Sequence, residues 1–380
     1  MRLNIIAYLL CVVLFASCIQ SEPLNAECDI EYASVESDNW EDLFYSENDM
    51  AQEVPSADST IVFNLLDGFT DFDKLSNLRV YFEITEGASI TPESGSAQDF
   101  SGDGVNYRVT SEDGGWFRDY TVKFTTMPSL ITDLSFENFH FVDRYYEWFE
   151  LSTHGDTIWQ WASGNPGFAI SRSSAETDEF PTLPYDDDCI SGHAVKLETC
   201  DTGPFGAMVN MRLAAGNLFI GTFDVTYALL DAMAATNFGL PFNKKPISFE
   251  GYYKYQAGEE FQNRKGTILA DSIDAPDLYA ILYKNTDANG ASMTLKGDDV
   301  LTNENIVAMA RVTDPVYDFS AWTYYNIPFE YYSEVDEDVL KNYGYSLAVV
   351  FTSSIEGASF SGAIGSTLIV DEVKVNCEED

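Results

Sequence analysis

Apolar and polar residues alternate with a period of two along much of the chain, and the alternating runs are short. Val105-Asn106-Tyr107-Arg108-Val109-Thr110 alternates cleanly, and Leu78-Arg79-Val80-Tyr81-Phe82-Glu83-Ile84 does so in part. Ile61–Leu66 is a brief apolar run, and Arg118–Phe124 follows Ser111-Glu112-Asp113-Gly114-Gly115, whose residue types suit a hairpin connector. Ile90-Thr91-Pro92-Glu93-Ser94-Gly95 carries turn chemistry. Period two sends successive side chains to opposite faces of a sheet. These runs therefore predict strands, and their number and spacing fit a small immunoglobulin-like β-sandwich over residues 59–130.

Beyond a linker at Met127–Asp133, the same short-strand pattern continues with longer loops. Helical periodicity is confined to Leu229–Ala235 and Glu337–Asn342. Residues 131–380 are expected to form a larger jelly-roll β-sandwich, making the fold class all-β. The 22 Tyr, 26 Phe and 6 Trp suit strands, and a length of 380 residues suits two domains. Residues 18–58 are rich in acids and carry no Lys or Arg, which predicts an acidic tether. Trp40, Leu43, Phe44 and Tyr45 within it are apolar enough to dock or to add an edge strand.

The N-terminus changes the picture. Arg2 precedes an apolar run from Ile5 to Phe15, and Ala16-Ser17 supplies small residues before Cys18. This is the layout of a secretory signal over residues 1–17. Leu14-Phe15-Ala16-Ser17-Cys18 resembles a bacterial lipobox, which implies that Cys18 receives a diacylglycerol and becomes the mature N-terminus. The apolar run is too short for a comfortable membrane span. The chain is thus expected to meet the membrane through its lipid alone, at the outer membrane of a cell envelope, on the periplasmic or the outer face.

Charge narrows the partners. The chain carries 20 basic and 62 acidic residues, a net −42, and losing Arg2 with the signal makes this −43. Nucleic acid and anionic lipid surfaces are poor partners for such a chain, whereas neutral glycans, cations or basic proteins are not. Four cysteines lie beyond Cys18: Cys28, Cys189, Cys200 and Cys377. They lack paired CxxC spacing and have only three histidines for company, which does not make a zinc site. In an oxidising compartment Cys189 with Cys200 is the best local disulfide pair, with free buried thiols as the alternative.

Several phrases in the second unit resemble the putative carbohydrate metabolism domain family. They are Ala214-Ala215-Gly216-Asn217-Leu218-Phe219-Ile220-Gly221, Thr236-Asn237-Phe238-Gly239-Leu240-Pro241-Phe242, Phe249-Glu250-Gly251-Tyr252-Tyr253-Lys254-Tyr255, and Gly365-Ser366-Thr367-Leu368-Ile369-Val370-Asp371-Glu372-Val373. The resemblance implies a jelly roll, often behind an immunoglobulin-like domain, and an association with carbohydrate. The first unit similarly resembles the immunoglobulin-like spacer repeats of surface lipoproteins. Carbohydrate-binding jelly rolls often hold a structural calcium between an early acid and the last strand, which here selects Glu137 and Asp371. Alternating Thr367–Val375 as a regular strand puts Asp371 on the largely apolar face with Ile369 and Val373. The other reading of both acids is a carboxylate capping loop amides. Asp186-Asp187-Asp188 is expected to be a solvated loop.

Sugar binding needs flat aromatic rings with amides and carboxylates at their edges. The candidates are Trp159 and Trp161, which share a strand face, and the group Trp322, Tyr324 and Tyr325. Tyr252–Tyr255 reads mainly as strand packing. A glycosidase would need two carboxylates about 5–9 Å apart, and Glu150, Glu250 and Glu330 stand out only slightly from the other acids. No Gly-x-Ser-x-Gly elbow, P-loop, HExxH motif or dinucleotide fingerprint is present. Three readings follow: a lipoprotein that captures carbohydrate, an adhesin built on sheet surfaces, and a glycoside hydrolase.

Overall fold

The computed structural model describes residues 24–37, 39–44, 47–66, 69–126, 130–151, 157–225, 233–288 and 290–378. The signal segment 1–17, Cys18, His154 and most of the Leu229–Ala235 helix expected above lie outside them. The chain divides into two compact units, residues 1–127 and 128–380. Among the described residues, no helix is long and apolar enough to cross a membrane.

The first unit has two four-stranded sheets. One runs Ala51–Glu53, Ile30–Glu36, Leu78–Ile84, Ala97–Gln98 in spatial order. The other runs Thr60–Leu65, Phe117–Thr126, Val105–Thr110, Ser89–Thr91, with its first pair parallel. The alternation read from Val105–Thr110 is realised, with Tyr107 and Val109 buried and Asn106 and Arg108 exposed. The acidic tether is corrected for its later part. Ile30–Glu36 is an inner strand, and Ile30, Ala33, Val35, Leu43, Phe44 and Val54 belong to the core with Phe63, Val80 and Phe124. Burying each larger apolar side chain contributes about 1.5–3 kcal/mol, which outweighs the acidity of the intervening positions. Glu31 and Glu36 are both exposed, Glu31 because a register shift between Ile30 and Tyr32 interrupts the alternation that Ala33 and Val35 follow.

The second unit is a jelly-roll sandwich of two six-stranded sheets. The first runs Thr182–Tyr185, Ala194–Glu198, Thr367–Cys377, Pro246–Gln256, Thr323–Pro328, with Asp133–Leu134 also paired to Thr367–Cys377. The second runs Asn217–Phe219, Tyr345–Thr352, Asp277–Lys284, Ile306–Arg311, Glu330–Tyr331, with Leu240–Phe242 also on Tyr345–Thr352. The core between them includes Phe249, Tyr253, Tyr255, Leu368 and Val370 from one side and Leu278, Ala280, Leu347, Val349 and Phe351 from the other. Asp277–Lys284 and Tyr345–Thr352 are covered on both faces, because Phe238, Leu295 and Val300 pack with Ile281, Tyr283, Ala348 and Val350 behind them. That double burial is why these two strands read as continuous apolar runs. The expected helix near Glu337 is present at Glu337–Lys341, where the Asp336 carboxylate accepts hydrogen bonds from the Asp338 and Val339 amides.

Thr367–Cys377 is the strand that shapes the site. Its core-facing residues are Leu368, Val370, Val373 and Val375, and their parity switches after Val370. Glu250 pairs with Lys374 and Tyr252 with Asp371, so Gly251 faces two residues, Glu372 and Val373. This is a β-bulge, and Glu372 takes the left-handed conformation at φ 45°. The bulge corrects the regular alternation expected above: Asp371 faces away from Val373 and out of the core, on the side of Tyr252.

Candidate functional site

The outer face of the first sheet carries a cleft of about 340 Å³, lined by Asp133, Glu250, Tyr252, Tyr324, Glu372 and Lys374 among others. Each of these side chains owes its position to strand register. Tyr252 pairs with Tyr324 across Pro246–Gln256 and Thr323–Pro328, and their rings lie 5.2 Å apart at 49°. Tyr324 is 53% exposed. Glu250, one step along the same face, accepts hydrogen bonds from Tyr324 Oη at 3.0 Å and Asn326 Nδ2 at 2.6 Å. Its carboxylate is therefore held as a fixed acceptor beside an aromatic surface. Lys374 Nζ lies 2.8 Å from Asp133 Oδ1, and that carboxylate raises the lysine pKa. Glu372 enters through the bulge, and among the described residues its carboxylate has no hydrogen-bond or ion-pair partner.

The Asp186–His193 loop borders this face and is latched at several points. Lys254, only 4% exposed, donates to Asp188 Oδ2 at 2.6 Å and sits 4.9 Å from the centre of the Trp322 ring. The Trp322 indole N–H donates to the Asp188 carbonyl at 2.7 Å. Asp371 Oδ2 accepts from the Ile190 and Ser191 amides at 2.7 and 3.3 Å, and Oδ1 accepts from the Glu372 amide at 2.8 Å. Glu137 Oε1 accepts from the His193 amide at 3.0 Å, and the His193 ring pairs with Asp186 at 2.7 Å. Asp186, Asp187 and Asp188 are all exposed, as expected of a solvated loop, although the segment is tied down at these points. Burial pushes the Asp371 carboxyl up to about 6, although all three amides oppose the shift.

Glu137 and Asp371 do converge on one loop, as the calcium reading requires. The donors facing them, however, are amide N–H groups, which suit a carboxylate and not a cation. Calcium takes about six to eight oxygen ligands. As arranged, these residues do not fit the ion unless the 190–193 loop turns carbonyl oxygens inward. Among the described residues, no group of three or more His, Cys, Asp or Glu could hold a metal.

Several aromatic candidates are corrected. Trp159 and Trp161 share a face as expected, but it is the inner face. They are 9% and 4% exposed, lie 5.0 Å apart and pack in the core with Phe136 and Trp148. Trp161 Nε1 donates to Glu150 Oε1 at 3.0 Å inside the core, where burial raises the Glu150 pKa. Tyr325 is also a core residue, against Phe249 and Tyr253. Trp322 shares a face with Tyr324 but works as a latch for the loop. Glu330 lies on an edge strand of the other sheet, so Glu250 alone of the three singled-out glutamates reaches the cleft.

The Cys189–Cys200 pairing is corrected too, since all four described cysteines are free. Cys189 precedes Ala194–Glu198 and Cys200 follows it. A strand advances about 3.3 Å per residue, which separates its two ends far beyond the roughly 7 Å limit for a disulfide. Sequence reasoning missed Tyr252 and Glu372 as cleft residues. The parity switch from Leu368 and Val370 to Val373 and Val375 was the available signal for Glu372.

Comparison with known proteins agrees with this architecture. The family described as putative carbohydrate metabolism domain matches residues 135–376, and the one described as SGBP, N-terminal, matches residues 44–124. The chain is similar to a crystal structure described as a putative glycoside hydrolase from Bacteroides thetaiotaomicron VPI-5482. The two are 36% identical with a TM-score of 0.71, over 95% of this chain and 100% of that one. A second structure so described, from Bacteroides vulgatus ATCC 8482, is 36% identical with a TM-score of 0.61, over 66% of this chain and 99% of that one. No curated protein matches the chain. With a family match across most of the second unit and a solved relative spanning nearly its whole length, the chain belongs to the putative carbohydrate metabolism domain family.

Proposed function

We propose that this protein is a cell-envelope lipoprotein, anchored through Cys18, that captures carbohydrate in the cleft of its jelly roll. The observation that carries this reading is the pairing of a tyrosine surface, the half-buried Tyr252 beside the exposed Tyr324, with the fixed acceptor Glu250. Aromatic faces cover the C–H faces of a sugar ring, and the carboxylate takes its hydroxyl protons. Holding Glu250 in place beforehand lowers the ordering cost of binding. A glycan array with the protein from Cys18 onward, followed by titration calorimetry on its hits, tests the reading. Tyr324→Ala is expected to weaken any hit at least about tenfold, each tenfold being about 1.4 kcal/mol. Unchanged affinity would remove the cleft from the argument, and a silent array would favour an adhesin. Anchoring is tested by labelling with a fatty-acid analogue, which Cys18→Ala should abolish.

Hydrolysis is the second reading. It is favoured by the presence of two carboxylates, Glu250 and Glu372, in one cleft, and by the description of both solved relatives. Release of reducing ends from an array hit, lost in both Glu250→Gln and Glu372→Gln, would establish it.

A further inference from the structure

The lining of the cleft points to the class of sugar it accepts. It contains three carboxylates, Asp133, Glu250 and Glu372, and one ammonium, Lys374. The ammonium is already committed to Asp133 at 2.8 Å. Glu250 is satisfied by neutral donors, the Tyr324 hydroxyl and the Asn326 amide, which leave its charge in place. Glu372 has no partner among the described residues. Lys374 also lies across the strand pair from Glu250 and is attracted to it, but one ammonium against three carboxylates leaves the lining with an excess of two negative charges, on a chain of net −42.

Glu372 is there because of backbone geometry. In a regular strand the residue after Asp371 would turn toward the core. The bulge opposite Gly251 instead holds it on the outer face at φ 45°, a conformation uncommon for a residue with a side chain. Bulges recur where a strand re-aims a side chain beside a site. The closeness of Gly251 makes the bulge specific: an added Cβ would lie 3.1 Å from Val373 Cα.

We infer that the cleft selects uncharged or amine-bearing sugars and rejects glycans carrying carboxylate or sulfate, with Glu372 as the residue that sets this preference. The inference rests on the carbohydrate-capture reading above. A uronate in the cleft would meet a lining with two carboxylates in excess, whereas a neutral sugar offers hydroxyl protons to Glu372 and an amine offers a charge-assisted bond.

The test uses the protein from Cys18 onward and length-matched panels: neutral gluco-, galacto- and manno-oligosaccharides, oligogalacturonates, and chitosan oligomers. Calorimetry at low and high salt is expected to show a neutral or amine-bearing ligand bound at least about tenfold more tightly than oligogalacturonate, with the gap narrowing as salt rises. Glu372→Gln should narrow the gap at low salt. It leaves no protein partner unsatisfied, and an unchanged melting temperature will confirm folding. Oligogalacturonate bound as tightly as a neutral ligand, or a gap indifferent to Glu372→Gln, would overturn this inference and leave carbohydrate capture standing. Binding of no panel member would overturn both.

Discussion

Gly251→Ala is expected to destabilise the second unit through the bulge. Gly251 is not among the positive-φ glycines, so alanine meets no conformational penalty there and the cost is steric. The new Cβ would lie 2.9 Å from Tyr325 Oη, 2.9 Å from Val373 Cγ2 and 3.1 Å from Val373 Cα. The first two atoms can move by side-chain adjustment, but the third belongs to the bulged backbone. Overpacking of this kind costs about 1–3 kcal/mol. For a unit of this size that lowers the melting temperature by about 3–10 °C. Thermal and urea denaturation measure it. Tyr325→Phe is the control. It removes one clashing atom together with a buried hydroxyl that has no partner among the described residues, and an orphaned polar group costs about 1–3 kcal/mol. Alone it should stabilise by about 1 kcal/mol, and combined with Gly251→Ala it should recover part of the loss, a non-additive result expected of touching residues. A Gly251→Ala melting temperature within about 1 °C of the parent would refute the close approach on which the bulge argument stands.

Other outcomes follow from the latch and the core. Asp188→Ala should cost more than Lys254→Met, about 1–3 kcal/mol against under about 1, because the first strands a buried ammonium while the second removes it; urea denaturation of the two variants checks the order. Asp371, with its folded pKa raised to about 6 above the ordinary 3.8, takes up its proton more readily folded than unfolded. Its contribution is therefore full below about pH 4 and lost as pH rises through 6, at most about 3 kcal/mol, and comparing the parent with Asp371→Asn from pH 4.5 to 7.5 should show the parent losing its relative advantage across that window. Trp159→Ala should destabilise by about 3–5 kcal/mol by emptying core volume, while glycan affinity, measured on the folded fraction at low temperature, stays unchanged. Calcium or a chelator should shift the melting temperature by no more than about 1 °C, since amides already occupy both oxygens of Asp371 and Oε1 of Glu137; a larger rise with calcium would show that the 190–193 loop turns its carbonyls to an ion.

How far the sequence could be read depended on how many faces of each strand are covered. Leu78–Ile84 and Val105–Thr110 have one wet face, and the structure returns both strands at those limits. Asp277–Lys284 and Tyr345–Thr352 are covered on both faces, so their side chains carry no record of which way they point. Ile30–Glu36 was hidden by its acidic neighbours, although Ile30, Ala33 and Val35 are core positions. Face and direction are separate questions. Period two correctly grouped Trp159 with Trp161, but nothing in two tryptophans distinguishes a sugar platform from a core.

Neighbours along the strand supply the missing direction at the cleft. Tyr325 shares parity with Ile327 and Phe329, both apolar, whereas Tyr324 shares parity with Asn326. That contrast separates the core tyrosine from the cleft tyrosine without any structure. The same logic fails at Glu372 only because a bulge resets parity, and the reset is itself visible in Leu368, Val370, Val373 and Val375. A strand whose apolar positions change parity has an extra residue at the change, and in this chain that residue is a glutamate facing the cleft. The local irregularity and the functional candidate are one feature: the bulge costs the strand its regular pairing opposite Gly251 and places on the outer face a carboxylate that regular pairing would bury.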